Sequence, residues 1–180
     1  ISNRSDYDLQ QHIKASGKDL SYFDPETSMK VVPHVVAEPS LGVDRTFLVF
    51  LFDAYEYDSK RENIVLHLNP KLAPIKVAVF PLLSNKEELI DVAKKIYAEL
   101  RKEFTCYYDE SGSVGRRYAR ADESGVYGTI TIDFDTLKDD SVTLRSRDTT
   151  KQVRIRIAEL KAAISRYLNG EKLESLGKPL

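Results

Sequence analysis

From Pro74 onward, apolar residues switch repeatedly between the alternating period of a strand and the roughly 3.6-residue period of a helix. That switching leaves few folds open. "IKVAVFPL" reads as a buried strand. Ser84-Asn85-Lys86-Glu87 fits a capping box, and Leu89, Val92, Ala93, Ile96, Tyr97, Leu100 and Phe104 then follow helical spacing. "FTCYYDE" is a second strand, and "SGSVG" opens a short basic helix over residues 114–123. "VYGTITIDFD" is a third strand, with Ile130, Ile132 and Phe134 alternating against Thr and Asp, and "SVTLRSRD" is a fourth. Thr149-Thr150-Lys151-Gln152 offers another capping box, and we expect a last helix from there to Asn169-Gly170, with glycine as the residue after the cap. "VRIRIAEL" also alternates like a strand, but its length and capping favour helix. Residues 173–180 read as a frayed tail. The order β-α-β-α-β-β-α implies an α/β fold with a mixed sheet flanked by helices. Its first three strands should be parallel and its fourth antiparallel.

The residues before this body look incomplete. "DYDLQQHIKAS" has weak helical spacing, residues 17–30 read as a polar loop, and "MKVVPHVVAE" reads as extended, Pro33 biasing Val32 toward β geometry. The segment from Val43 to Tyr55 is apolar nearly all round, and a helix of that kind is covered on every side. Too little chain precedes Lys71 to cover it, so residues 1–72 read as part of a domain and 73–180 as a complete one. The first residue is Ile1, not Met, which raises the expectation of a fragment or a processed chain.

Composition excludes several functions. The chain has 180 residues, 42% hydrophobic and 31% charged, with a formal net charge of −1, so bulk charge does not single out a polyanion partner. No apolar run approaches the ~18–20 residues of a membrane span, and there is no secretory h-region. The single cysteine, Cys106, leaves no intrachain disulfide and fits a reducing compartment. Its strand-like setting reads as a buried, inert thiol. His12, His34 and His67 lack metal-ligand spacing and read as structural or surface groups. No nucleophile elbow and no Walker loop is present.

Three constellations could carry chemistry. In "ESGSVGRRYAR", glycines permit a tight turn into a helix whose N-terminus offers unpaired N–H groups beside Arg116, Arg117 and Arg120. This is either a capped helix with a solvated face, or an anion or RNA-backbone surface with Tyr107, Tyr108 and Tyr118 for base stacking. Arg145, Arg147, Arg154 and Arg156 form a second cluster, which taken alone reads as a salt-bridged surface. In "AEPSLGVDR", Glu38 and Ser40 set an acceptor and a small donor at a strand end, the first suited to an ammonium group. Arg45, in the first helical turn, opposes the helix dipole unless an anion offsets it. It either pairs with Asp44 or Glu38, or meets a phosphate.

These residues carry a resemblance. "VVPHVVAEPSLGVDR" resembles motif 3 of class II aminoacyl-tRNA synthetases in its glycyl form, the α2 type. "NRSDYDLQQH" is similar to a segment beside that family's active site. "LAPIKVAVFPL", "YDESGSVGRRYARADESGVYGTITIDFDT" and "VTLRSRDTTKQVRIRIAEL" resemble its anticodon-binding domain almost end to end. The resemblance implies that Glu38, Ser40 and Asp6 contact glycine, that Arg45 with Glu38 contacts ATP, and that the second domain reads the anticodon of tRNA-Gly. Arg116, Arg117, Tyr118 and Arg145 are the candidates for that surface, on chemistry more than on a motif match. The family further implies ATP and Mg²⁺ as cofactors, a homodimer and a cytoplasmic setting.

The chain also departs from the family. Motif 1, for dimerisation, and motif 2, whose arginine neutralises the α-phosphate in an F-R-x-E setting, are both missing. The sequence Arg101-Lys102-Glu103 lies on an expected helix of the other domain and lacks the preceding Phe. The expectation is therefore a C-terminal part of a glycine–tRNA ligase, inactive by itself and with no cofactor of its own. The alternative is a stand-alone accessory module reusing the anticodon-binding fold, as the accessory subunit of mitochondrial DNA polymerase does. The intact "EPSLGVDR" argues against that alternative.

Overall fold

A computed structural model describes residues 2–4, 9–32, 36–38 and 40–180, with 2–4 and 36–38 described by their backbone. The chain divides into two compact units, 1–47 and 48–180.

In the first unit, strand β1 (Ser2–Arg4) is followed by helix α1 (Leu9–Ser16), β2 (Tyr22–Asp24), β3 (Met29–Val31) and β4 (Val36–Glu38). β1 pairs antiparallel with β4, setting Ser2 opposite Glu38. β2 and β3 form a hairpin where the sequence suggests a polar loop. The turn chemistry explains the difference: the Asp24 carboxylate accepts from Glu26 N at 3.1 Å and from the Thr27 hydroxyl at 2.6 Å. Ser28 takes the left-handed backbone that closes the turn. The strands are too short and too exposed for periodicity to reveal them.

Helix α2 (Val43–Ala54) starts in the first unit and ends in the second. The expectation of an all-round buried helix is not met. Phe47, Leu48, Val49, Phe50 and Phe52 are exposed, Phe52 to 76%, and Ala54 is the buried residue of this helix.

The second unit continues with β5 (Tyr55–Asp58) and β6 (Asn63–Leu66), an antiparallel hairpin. Then come β7 (Val77–Pro81), α3 (Glu87–Leu100), β8 (Cys106–Tyr108), α4 (Val114–Glu123), β9 (Gly128–Ile132), α5 (Thr136–Asp139), β10 (Ser141–Ser146), β11 (Gln152–Arg156), α6 (Leu160–Leu168) and β12 (Lys178–Pro179). Six of these strands form one sheet in the order β12-β11-β10-β9-β7-β8. β7 runs parallel to both β8 and β9, while β9, β10, β11 and β12 pair antiparallel in series. The mixed sheet inferred from the sequence is therefore observed.

Alternation along β7 decides which helix covers which face. Val77 and Val79 pack with Leu89, Ala93, Ile96 and Leu100 of α3 and with Leu160, Ala163 and Ile164 of α6. Ala78 and Phe80 point to the other face and pack with Ala121 of α4 and Val126. Each fully buried large aliphatic side chain contributes about 1.5–3 kcal/mol.

Three local expectations are corrected. Residues 153–156 are strand, not helix: Val153 and Ile155 alternate into the core, and Val142 lies opposite Ile155. Thr149 and Thr150 form the hairpin turn, with Thr150 left-handed at φ 58°, so there is no capping box there. At the start of α3 the cap position falls on Lys86, which makes no side-chain cap bond. The genuine side-chain cap belongs to Ser113, which accepts from Arg116 N at the start of α4.

The final residues are ordered, not frayed. A turn of 3-10 helix, Leu173–Ser175, buries Leu173; Leu176 is buried after it, and β12 pairs with β11. Gly177 makes this possible. A Cβ there would collide with the Arg154 carbonyl oxygen and lie 2.8 Å from Ile155 Cγ1. Gly177→Ala should therefore lift the tail off the sheet and cost roughly 1–3 kcal/mol. Thermal melts would show the loss, and limited proteolysis should cleave near the tail first. Unchanged melting and proteolysis would contradict the role given to this glycine.

Candidate nucleic-acid interface

Because β7, β8 and β9 are parallel, their carboxyl ends lie along one edge of the sheet. α3 leaves β7 on one face and α4 leaves β8 on the other. Opposed departures open a crevice outside the strand ends, the usual place for ligands in open α/β sheets. The topology puts that crevice at the ends of β7 and β8, beside Pro81-Leu82 and residues 109–113.

Arg117 fills its base. The side chain is 1% exposed. Its guanidinium donates to the carbonyls of Pro81, Leu82 (3.3 Å), Asp109 (3.5 Å) and Gly112 (3.2 Å). It thus ties the end of β7 to the loop after β8. Burial pulls its pKa down, against the favourable charge of Asp109. Its Cζ lies 5.9 Å from the centre of the Phe80 ring.

Arg145 also turns inward, at 6% exposure. It makes a two-pronged bond to Asp122 at 2.8 and 2.9 Å, and Arg61 reaches the same carboxylate at 3.3 Å. The Arg145 guanidinium lies 4.7 Å from the centre of the Tyr118 ring. Tyr118 shares a 2.5 Å hydrogen bond with Thr131 and packs against Phe80 at 5.9 Å. The structure therefore joins Tyr118, Arg145 and, through Phe80, Arg117 into one internal stack. Arg116, in the first turn of α4, stays exposed. The terminal guanidinium nitrogens of Arg117 and Arg145 are spent on carbonyls and a carboxylate, while Arg117 Nε is buried without a hydrogen-bond partner, which the sequence pattern did not reveal.

At the same edge, the acids that partner the remaining sequence candidates, Asp109, Glu110 and Asp133, escaped the sequence reading. Arg120 pairs with Asp109 at 2.5 Å, and the Tyr108 hydroxyl donates to Glu110. Asp133, just beyond β9, accepts from both terminal nitrogens of Arg154 at 2.6 and 2.9 Å and from Thr136 N at 3.0 Å. The available signal was an Asp directly after a strand and three residues before a Thr, an Asx-turn pattern.

Burial would raise the Asp133 carboxyl, but Arg154 and the Thr136 amide hold it below the usual range. Its stabilising contribution is present above the unfolded value of about 3.9 and lost as pH falls through the lowered folded value. Asp133→Asn should thus flatten the acid limb of a stability–pH curve while lowering the plateau. An unaltered acid limb in denaturant titrations would oppose this.

The front of the chain presents less. Asp6 lies outside the described residues, as does His34, and Glu38 is placed at the end of β4 by its backbone. Ser40 is exposed ahead of α2. Arg45 sits in the first turn of α2, exposed, without an ion pair to Asp44. An exposed cation at a helix start suits one end of a phosphate chain. Among the described residues no group of three His, Cys, Asp or Glu side chains could hold a metal ion. The described residues thus fit part of a nucleotide's tail and not a whole magnesium–nucleotide site. His67 is structural, between Asp148 (2.7 Å) and Glu56 (3.1 Å). Cys106 is half-buried, and burial raises its thiol pKa.

Comparison with known proteins agrees with this geometry. The family model for the anticodon binding domain matches residues 76–167. A glycine–tRNA ligase of Clostridium acetobutylicum is 48% identical over 163 residues, 89% of this chain and 34% of the relative. One from Caldanaerobacter subterraneus is 49% identical over 176 residues, 97% of this chain and 36% of the relative. One from Corynebacterium efficiens is 48% identical over 177 residues and is covered to 38%. The chain thus spans 34–38% of the length of these relatives. Among solved structures, the prolyl-tRNA synthetase of Cryptosporidium parvum superposes with a TM-score of 0.53 at 24% identity, over 58% of this chain and 22% of that one, a likeness of fold. With the matched region holding the whole crevice, the chain belongs to the anticodon-binding domain family.

Proposed function

We propose that this chain is the C-terminal part of a glycine–tRNA ligase and that its second unit binds the anticodon arm of tRNA-Gly. The observation that carries the reading is the extent of the likeness. Identity to glycine–tRNA ligases runs over 97% of the chain in one relative, well beyond residues 76–167. A module that kept only the anticodon-binding fold has no cause to retain residues 1–72. The functional boundary is accordingly put at 72/73.

Splayed bases of a tRNA loop present hydrogen-bonding edges that a rigid sheet rim can meet. The two cytosines that the resemblance implies for a glycine anticodon each offer an amino donor, which suits a carboxylate such as Glu110 at the crevice. Arg116, exposed beside the crevice, meets the backbone. Arg117, Tyr118 and Arg145 build the platform from beneath. In the parent enzyme, Glu38 would take the ammonium of glycine, Ser40 and Asp6 would line the same pocket, and Arg45 would hold the triphosphate of ATP. ATP with magnesium supplies the activating chemistry there. A homodimeric, cytoplasmic parent completes the reading.

Titration of this chain with a tRNA-Gly anticodon arm tests it. Binding should weaken about tenfold when the anticodon is scrambled, and Arg116→Glu should weaken both RNAs alike. Equal affinity for native and scrambled anticodons would remove base reading from the proposal. Glycine-dependent pyrophosphate exchange should stay at the blank for this chain, and a clear signal would contradict the assignment as a partial enzyme.

A further inference from the structure

Among the described residues the sheet ends at β8, with no strand on its outer side. α3 runs alongside. Lys94, Tyr97 and Arg101 are spaced three and four residues apart on α3 and the turn after it, so they share one face of the helix. Cys106 and Tyr108 of β8 face the same layer. The result is a continuous row of cations and rings. Lys94 Nζ lies 5.9 Å from the centre of the Tyr108 ring. The rings of Tyr97 and Tyr108 are 6.0 Å apart, and the Arg101 guanidinium lies 5.6 Å from the Tyr97 ring.

Ten of the 22 Lys and Arg side chains of the second unit have carboxylate partners. On the same helix-and-turn segment, Lys102 pairs with Glu99 at 2.6 Å, and Lys161 of α6 pairs with Glu103 at 2.8 Å. Lys94 and Arg101 are exposed and have ring faces in place of carboxylates. Glu110, the nearest acid along β8, is engaged by the Tyr108 hydroxyl. Seven helical residues separate the two cations by about 10 Å, enough to neutralise two separate phosphates. β8 leads directly into the crevice through Asp109 and Glu110, so a nucleic-acid strand leaving the crevice along this edge crosses the row.

We propose that Lys94, Tyr97, Arg101 and Tyr108 form a second RNA contact, which grips the sugar–phosphate backbone of the bound arm without reading its sequence. The chemistry is that of single-strand binders, in which cations track the backbone and aromatic rings carry sugars or bases. This inference rests on the tRNA-binding reading and adds a surface to it.

The test compares the unmodified chain, Lys94→Ala/Arg101→Ala, and a charge-matched control, Lys95→Ala/Lys161→Ala, whose residues line the groove on the α6 side of α3. Each is titrated with the native and the scrambled anticodon arm at several salt concentrations, after melting curves establish folding. The row variant should bind both RNAs about tenfold more weakly. Its log K against log salt should be shallower by about 1.4–1.8, the contribution of two phosphates, with the native-to-scrambled ratio preserved. The control should keep the original slope. An unchanged slope in the row variant overturns the proposal while leaving anticodon reading intact. A loss of the native-to-scrambled ratio overturns it by making the row a base reader. An equal change in the control reduces the effect to bulk charge and overturns it too. No RNA binding by the unmodified chain would defeat both readings together.

Discussion

One buried carboxylate holds the second unit in register. Asp122, on α4, accepts two bonds from Arg145 on β10 and a third from Arg61, beside the β5–β6 hairpin. Arg61 goes on to the carbonyls of Arg147 and Asp148 at 2.8 and 3.0 Å. Arg147 in turn donates to the carbonyls of Leu68 and Gly125 at 2.9 and 3.0 Å. Helix, sheet and hairpin are therefore joined through charged groups with nearly every donor satisfied. Such a network specifies an arrangement more than it adds net stability, because removing either partner leaves an uncompensated charge indoors.

That arrangement is what the crevice depends on. Tyr118 is held between Arg145 and Phe80, and Phe80 also meets the Arg117 guanidinium. Arg117 clamps the ends of β7 and the loop after β8. The rim groups Asp109, Glu110, Arg116 and Arg120 thus stand on a floor that does not shift with their own solvation. Binding residues on loops above a rigid sheet are the usual division of labour in α/β folds.

Much of this was legible in the sequence, and the misses have physical causes. The strands β7 to β10 and the helices α3 and α4 declare themselves by period, since each buries one coherent face. β11 misled because Val153-Arg154-Ile155-Arg156 alternates correctly while a plausible cap sits just upstream; alternation deserved more weight than the cap. The β2–β3 hairpin was invisible because it buries too little to leave a pattern. At the site, sequence shows which residues can bind an anion but not whether their donors are already taken. Arg116 and Arg117 are neighbours in the chain, yet one is exposed and the other sealed, because only one of two adjacent helical positions faces the sheet. Pairing across long separations, such as Arg145 with Asp122 or Arg154 with Asp133, has no local trace.

The docked C-terminal segment has a further consequence. β11 carries alternating aliphatic and charged residues, the pattern that templates strand addition, and β12 lies along its outer side. With part of that side covered, the sheet's flanks among the described residues are β12, two residues long, and β8, three residues long. Short or covered margins are how natural sheets avoid sticking to one another. The last few residues of the chain therefore act as a guard on solubility, and a preparation trimmed behind Asn169 would be prone to self-association through β11.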